Sequence, residues 1–247
     1  HLTGDSLAIA KKHGIELKNP DYVQIHPTTF YTKKHEDRSF LISESVRGEG
    51  AKLLDKNMNR FVDELLPRDV LTGKIREQMK KDGTDFVWED LRTIPRDELV
   101  SHFPNIIEHC KEMGYDVFKE PIPVVPAQHY FMGGVKVNHH SRTSMECLYA
   151  VGETACNGVH GRNRLASNSL LESLVFAKRA AGQMAELGFV NDEIAAKKAA
   201  DSIDLADYSD EKAVEREYRK LAMEAIEGRI SVGTEETVES GIAYIQA

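Results

Sequence analysis

The sequence predicts an α+β fold, with α/β as the alternative, because short apolar strands and amphipathic helices are mixed along its 247 residues. Leu71, Ile75 and Met79 repeat at the four-residue spacing of a helix. Residues 121–125 are apolar and β-branched, as in a buried strand. Residues 168–187 have an apolar side of leucine, valine, alanine and methionine, which predicts the strongest helix. A chain of this length can form one large domain or two smaller ones.

The other elements follow from the same patterns and from their breakers. Predicted helices occupy 5–14, 68–80, 105–112, 168–187, 211–227 and 234–246, and predicted strands occupy 22–25, 39–42, 86–88, 121–125, 134–137 and 148–151. The first strand is predicted to end at His26-Pro27, because proline lacks the N–H that a ladder needs. The acidic stretch 201–210 is predicted to be a linker.

Composition excludes several classes of protein. A net charge of −8 argues against a nucleic-acid binder, which would carry a basic stripe. An anionic substrate must therefore be bound by local arginines and histidines. The three cysteines are odd in number and lack the spacing of metal ligands, which indicates free thiols and a reducing, cytoplasmic compartment. No membrane segment or signal peptide is predicted.

Two polar clusters lie in the first half of the chain. His26 precedes a rigid proline at a strand end, which predicts a fixed imidazole, with a structural histidine as the alternative. In Ser43–Gly50, a helical turn would pair Glu44 with Arg47, and two glycines would let a ligand approach the backbone. The alternative for this segment is a surface ion pair followed by a turn.

Two further clusters lie at predicted helix starts. Arg68 opens a helix, where the helix dipole disfavours a cation, so a functional role is one interpretation and an exposed arginine beside Asp69 is the other. The second runs from 126–130 through Gly133-Gly134 and Gly152-Glu153 to 158–172. Its glycine-rich, polar approach into the helix at 168 is typical of a site for an anion or a carbonyl group. It is too long for a P-loop and lacks the P-loop lysine.

Five linked motifs resemble one flavoprotein family. In order they are Q-I-H-P-T, I-S-E-S-V-R-G-E-G, P-R-D, P-A-Q-H-Y-x-x-G-G and L-Y-A-V-G-E followed by H-G-x-N-R-L-A-S-N-S-L-L-E. Together they are similar to the family of succinate dehydrogenase, fumarate reductase and L-aspartate oxidase, over nearly all of residues 1–190. A-S-N-S-L-L-E and P-A-Q-H-Y resemble the L-aspartate oxidase branch more closely. Arg162, where a small residue is expected, and Ser43, where threonine is usual, depart from the pattern.

The resemblance implies roles for individual residues. The carboxylates of a four-carbon substrate would be bound by His26, Ser43, His129 and Arg164. Arg68 would exchange the proton next to the carbon that gives its hydride to flavin N5, with Glu44 and Arg47 as its proton path, because arginine alone is a poor acid or base. FAD, held non-covalently, would be contacted by Asp5, Glu153, Ser169 and Leu170, and the helix dipole at 168 would stabilise the reduced ring. No metal ligands are predicted.

The resemblance also implies a domain order and a reaction. A capping substrate-binding domain at 20–130 would be inserted into an FAD-binding domain formed by 1–19 and 131–200, and 201–247 would begin a helical C-terminal domain. The reaction would convert L-aspartate to iminoaspartate in NAD biosynthesis, with oxygen or fumarate as acceptor and quinolinate synthase as a possible partner. A succinate or fumarate enzyme is the alternative. The G-x-G-x-x-G that binds the ADP half of FAD is absent from the sequence, so the FAD-binding domain is predicted to be incomplete and the chain by itself inactive or poor in flavin.

Overall fold

The computed structural model describes residues 3–33, 39–188, 197–198, 200–201 and 208–230. These residues form two compact units, one of Gln24–His129 and one of the residues before and after it. Within the described ranges the named helices are α1 (Asp5–Lys12), α2 (Glu44–Gly48), α3 (Arg68–Asp82), α4 (Arg96–His102), α5 (Pro104–Glu112), α6 (Asn168–Leu187) and α7 (Glu211–Ile230). The strands are β1 (Leu17–Lys18), β2 (Val23–Phe30), β3 (Lys52–Leu54), β4 (Val87–Asp90), β5 (Ile122–Phe131), β6 (Gly134–Lys136) and β7 (Ala155–Cys156).

The Gln24–His129 unit is built on a four-stranded sheet in the order β2-β5-β4-β3. β4 pairs antiparallel with both of its neighbours, so that Glu89 lies opposite Leu53 on one side and Ile122 on the other. The core of this unit combines apolar side chains of the sheet with those of α2, α3, α4 and α5. Leu71 and Ile75, predicted from helical spacing, are both fully buried in this core.

Two strand predictions in this unit were wrong. β2 does not stop at His26-Pro27 but continues to Phe30. Proline removes only one donor and its φ is compatible with extended backbone, and β2 is the terminal strand of the sheet, where proline is tolerated. Residues 39–42 form no strand, because they meet β2 only through the single bridge between Thr29 and Leu41.

The second unit contains a three-stranded sheet in the order β1-β6-β7. β6 is antiparallel to β1 and parallel to β7. α1 ends near Gly14, as predicted, and packs Ala10 against Val135 of β6. The strand predicted at 148–151 is absent, because its only ladder contact is the bridge between Arg142 and Tyr149.

Two long helices of this unit match their predictions. α6 spans Asn168–Leu187 as predicted, although its Leu170, Leu171 and Leu174 are exposed. α7 was predicted at 211–227 and extends to Ile230. It is joined to α1 by ion pairs from Lys11 to Glu224 (2.7 Å) and from Lys12 to Glu217 (3.1 Å). These pairs link residues far apart in sequence, so helical periodicity could not predict them.

Some predictions fall outside the described residues. The linker at 201–210 lies mostly outside them, and the helix at 234–246 lies wholly outside them. Of the helices in the described ranges, none combines the length and the apolar composition that crossing a bilayer requires.

The Gly133-Gly134 pair of the P-A-Q-H-Y-x-x-G-G motif allows a close approach of two backbone segments. A Cβ atom on Gly133 would lie 1.9 Å from the carbonyl oxygen of Asn19, and one on Gly134 would lie 2.3 Å from that of Thr154. Both obstacles are backbone atoms, so neither can rotate away. These glycines are therefore required for packing in their own unit, whatever further role the motif has.

Replacing Gly133 by alanine is expected to destabilise the protein by about 3 kcal/mol or more, since the backbone must move to admit the methyl group. Gly182 provides the control, because it lies exposed inside α6 and a Cβ there meets nothing within 4 Å. Gly182→Ala should stabilise the helix by roughly 0.5–1 kcal/mol. Thermal unfolding followed by far-ultraviolet circular dichroism measures both, and equal melting temperatures for the two variants would contradict the packing argument.

Candidate active site

Arg68, Glu44 and Gln24 form the centre of a polar cluster in the Gln24–His129 unit. The Arg68 guanidinium donates from Nε (2.6 Å) to Oε2 of Glu44, with Nη2 at 2.5 Å from the same oxygen. Its Nη1 donates to Oε1 of Gln24 at 3.0 Å. The side chain of Arg68 is 10% exposed and that of Glu44 is 44% exposed, so the pair connects a buried cation with solvent. A charged arginine at a helix start is thus balanced by a carboxylate.

The local sequence explains how the two helices present these side chains. Pro67 has φ −49° and ψ 146°; it follows the turn at 64–66 and precedes α3, which starts at Arg68. Ser43 caps α2, its hydroxyl oxygen accepting a hydrogen bond from the Ser45 N–H at 3.3 Å. That hydroxyl keeps its own hydrogen to donate, and the cap places Glu44 in the first turn of α2.

The predicted pairing of Glu44 with Arg47 was wrong. The helical turn exists, but Glu44 binds Arg68, whereas Arg47 is buried and donates from Nη1 to the carbonyl oxygen of Glu64 at 2.8 Å. Burial lowers the pKa of Arg47, and Glu89 is the carboxyl group that opposes this shift most. The alternative of a surface ion pair is wrong for Arg47, which is 3% exposed.

His26 and His129 lie on neighbouring strands, with ring centroids 5.2 Å apart. His26 is 1% exposed, and its Nε2 lies 2.7 Å from the Ile42 carbonyl oxygen, to which only a protonated nitrogen can donate. Burial lowers the pKa of His26 to about 3, with smaller effects from Arg68 and His129 in the same direction. His26 is therefore neutral near pH 7, and its Nε2 proton is already used. His129 is exposed.

The buried His26 makes stability depend on pH in the acid range. The unfolded histidine gains a proton below about pH 6.5, whereas the folded one stays neutral until about pH 3. The folded state therefore binds fewer protons, and stability is expected to fall by about 1.4 kcal/mol per pH unit as pH decreases from 6.5. His26→Gln keeps a donor for Ile42 and should remove this component of the slope. Urea unfolding followed by the fluorescence of Trp88, the single tryptophan, measures it.

The exposed His139 supplies the control for this measurement. His139→Gln should leave the acid slope unchanged. An unchanged slope in His26→Gln would contradict a neutral, buried imidazole at position 26.

Of the predicted residues, Arg164 and Ser169 belong to one cluster in the second unit. The guanidinium carbon of Arg164 lies 4.3 Å from the centroid of the Tyr130 ring, a cation–π arrangement. Nη1 donates to the Ser169 hydroxyl at 3.4 Å and to the Leu165 carbonyl oxygen at 3.3 Å. His160 meets the Tyr130 ring edge-on. This arrangement holds the buried Arg164 at the N-terminus of α6.

The remaining predicted flavin contacts lie at three places in this unit. Glu153 accepts a hydrogen bond from the Phe131 N–H at 2.9 Å, and Asp5, in the first turn of α1, accepts one from Thr3 at 2.8 Å. Leu170, in the first turn of α6, is 73% exposed. The residues present fit a flavin at the α6 N-terminus, since Leu165, Leu170 and Leu171 offer apolar surface beside the positive end of the helix dipole.

Sequence reasoning missed some residues of these clusters. Gln24, Glu64, Glu89 and Tyr130 received no role, although a glutamate inside an apolar strand, as Glu89 is, signals a buried charge. A small residue was expected at position 162, and the environment of Arg162 explains why an arginine is accommodated there. The exposed guanidinium carbon lies 4.9 Å from the Tyr22 ring centroid, and Nη2 is 3.6 Å from Asp21. Within the described residues, no group of three or more histidine, cysteine, aspartate or glutamate side chains could hold a metal ion.

Comparison with known proteins places these motifs in a family. The model of the FAD binding domain family matches residues 1–170. An L-aspartate oxidase of Clostridium perfringens is 59% identical over 180 residues, covering 73% of this chain and 41% of the relative. One of Nostoc sp. is 50% identical over 189 residues, covering 72% of the chain and 32% of the relative. The chain thus spans less than half the length of these curated relatives.

Solved structures agree with the sequence comparison. A variant of E. coli quinol fumarate reductase superposes with a TM-score of 0.70 at 33% identity, covering 81% of this chain and 38% of that one. A quinol–fumarate reductase with menaquinol molecules gives 0.71 at 34%, with 81% and 39% coverage. The fold expectation is confirmed by these neighbours. On the family match, the relatives and the shared fold, the chain belongs to the FAD-binding-domain family of flavin oxidoreductases, whose cofactor is FAD.

Proposed function

We propose that this chain is part of an enzyme that oxidises L-aspartate to iminoaspartate with FAD. The observation that carries the proposal is the Arg68–Glu44 pair, in which a buried guanidinium is bonded to a carboxylate that reaches solvent. Such a pair can exchange a proton with a substrate and return it to water. The identity of the substrate is inferred from the relatives, which are named L-aspartate oxidase and are up to 59% identical to the chain over the matched region.

When bound, FAD supplies the acceptor for the two electrons that leave the substrate. The residues of this chain transfer the proton and bind the substrate. Arg68 passes its Nε proton to Glu44, 2.6 Å away, and the neutral guanidine then takes up the substrate proton, while Glu44 releases the first proton to solvent. Gln24 fixes the plane of the guanidinium through Nη1. Arg47 completes the proposed proton path not by bonding Glu44 but as a buried charge close to it.

Each unit, taken by itself, contains groups that suit a carboxylate of a dicarboxylate substrate. In the Gln24–His129 unit, the Ser43 hydroxyl and the exposed His129 imidazole are the proposed donors, and His26 acts through its ring contact with His129. In the other unit, the donor is Arg164, held against Tyr130. Asp5, Glu153, Ser169 and Leu170 are the proposed flavin contacts. The Gln24–His129 unit is accordingly proposed to be the capping substrate domain, and the second unit to contribute the FAD-binding domain and the start of a helical one.

The test compares substrates in the full-length enzyme that contains this chain. Reduction of the flavin, followed by its absorbance, is expected with L-aspartate and not with succinate. Reduction of the flavin by succinate and not by L-aspartate would favour the alternative of a succinate or fumarate enzyme. The structural similarity to fumarate reductases supports that alternative. The acceptor is identified from the product, hydrogen peroxide for oxygen or succinate for fumarate. The proposed partner, a quinolinate synthase, would consume iminoaspartate for NAD biosynthesis.

A second proposal concerns the 247-residue polypeptide by itself. Its sequence contains no G-x-G-x-x-G, and that motif carries the pyrophosphate contacts of dinucleotide sites. We expect the purified polypeptide to hold much less than one FAD per chain and to be inactive. The flavin absorbance of the purified protein relative to its peptide absorbance measures this ratio, and a stoichiometric yellow protein would contradict it.

A further inference from the structure

Glu89 is a buried acid that the proposed function leaves unused. It lies in β4, which pairs with β3 on one side and with β5 on the other, and the residue is 0% exposed. Neither of its carboxyl oxygens has a hydrogen-bond partner in the protein. A carboxyl group left in this condition costs free energy, so its presence in a sheet interior calls for a compensating charge.

The complementary group is Arg47. It is buried in the same unit, and its Nε and Nη2 have no hydrogen-bond partner, while Nη1 donates to Glu64. Arg47 and Glu89 interact electrostatically although no direct hydrogen bond joins them. Arg47 also senses the charges of Glu44 and Arg68. Glu64 brings the two residues together: its carbonyl oxygen accepts from Arg47, and its carboxylate accepts from the N–H of Leu53, which lies opposite Glu89 in the sheet.

We propose that Glu89 is a positioning residue of the candidate site, which orients the buried guanidinium of Arg47 and so couples the interior of the sheet to the Arg68–Glu44 pair. Arg47 has two buried donor nitrogens and Glu89 two buried oxygens without a hydrogen-bond partner, and a bridging water would satisfy such groups. Only the expected effect of Glu89 on turnover rests on the proposed function. The interaction of Glu89 with Arg47 can be tested in the 247-residue chain by itself.

The groups around Glu89 set the direction of its titration. Burial is the main cause that raises the pKa of Glu89 to about 8; Arg47 opposes this shift, and the nearby Glu64 acts in the same direction as burial. Cys110 of α5 is close enough that Glu89 contributes to raising its pKa. Since Arg47 favours the ionised carboxylate, removing its charge must raise the pKa of Glu89, and this sign is what the experiment measures.

The first experiment is an infrared titration of the 247-residue chain. The carbonyl stretch of a protonated carboxylic acid should persist at pH 6 in the unaltered chain and in the control Glu112→Gln, whose side chain is exposed, and should be absent in Glu89→Gln. In Arg47→Met the midpoint of this band should move up by about one pH unit or more. A midpoint unchanged by Arg47→Met would overturn the proposal. If Glu89→Gln does not fold, Glu89→Asp assigns the band by a change in its frequency.

The second experiment is a double-mutant cycle on the unfolding equilibrium of the same chain, with Glu89→Gln and Arg47→Met singly and together. The effect of Glu89→Gln should change by roughly tenfold in the equilibrium constant when Arg47 is already replaced. Additive effects would overturn the proposal. In the full-length enzyme, Glu89→Gln should lower turnover and shift its pH profile with the Michaelis constant unchanged, because Glu89 does not touch substrate. Failure of this arm alone, with coupling in the chain intact, would count against the proposed function and not against the pairing with Arg47.

Discussion

Arg68→Lys is expected to lower the turnover of the full-length enzyme by about 10²–10⁴-fold, the usual contribution of a positioned acid–base group. Lysine keeps the positive charge. It cannot present the fixed set of donors with which Arg68 holds Glu44 through Nε and Nη2 and Gln24 through Nη1. Because this group acts in the transition state, the Michaelis constant should change little.

Arg92 offers a matched control for this substitution. It also forms an arginine–carboxylate pair, from its Nε to Asp90 at 2.8 Å, but it is exposed. Arg92→Lys should leave turnover within about twofold of the unaltered enzyme, as expected of a surface pair. A variant of Arg68 that raises only the Michaelis constant would show that Arg68 binds the substrate and does not exchange its proton.

Arg164→Leu is expected to reduce both substrate binding and turnover, lowering kcat/KM by roughly 10²–10³-fold, the size of effect seen when one partner of a buried charge pair is removed. Leucine would fill part of the space next to Tyr130 but donate nothing to a carboxylate. The buried guanidinium is already oriented by the Tyr130 ring and the Ser169 hydroxyl, so little ordering is required when substrate binds.

Arg162→Leu is the control for Arg164→Leu, since the two residues lie in the same loop and Arg162 is exposed. Steady-state kinetics with L-aspartate, together with the dissociation constant of a non-reacting dicarboxylate, measures both variants. Equal losses in the two would mean that the loop as a whole, and not Arg164, determines binding. Retained dicarboxylate affinity in Arg164→Leu would remove Arg164 from the substrate site.

The periodic elements were the most predictable part of the fold. α3 and α6 were predicted nearly to the residue, because the spacing of apolar side chains and the residues at the helix ends are local properties. The strand errors have a common cause. Residues 39–42 and 148–151 are extended and apolar, but whether such a segment forms a strand depends on the length of its pairing with a partner, which is not local. Pro27 was misjudged because its tolerance depends on the position of β2 in the sheet order.

The candidate site also has features that the sequence predicts and features that depend on the tertiary structure. The motifs by themselves determined the family, the cofactor class and a set of polar residues, because the order and spacing of residues such as Arg68 and Arg164 are written directly in the chain. Only the tertiary structure decided that Glu44 pairs with Arg68 and not with Arg47, that His26 is buried and neutral, and that Glu89 is buried and interacts with Arg47. The physical reason is that charge pairing and desolvation are set by neighbours distant in sequence, which local spacing does not encode.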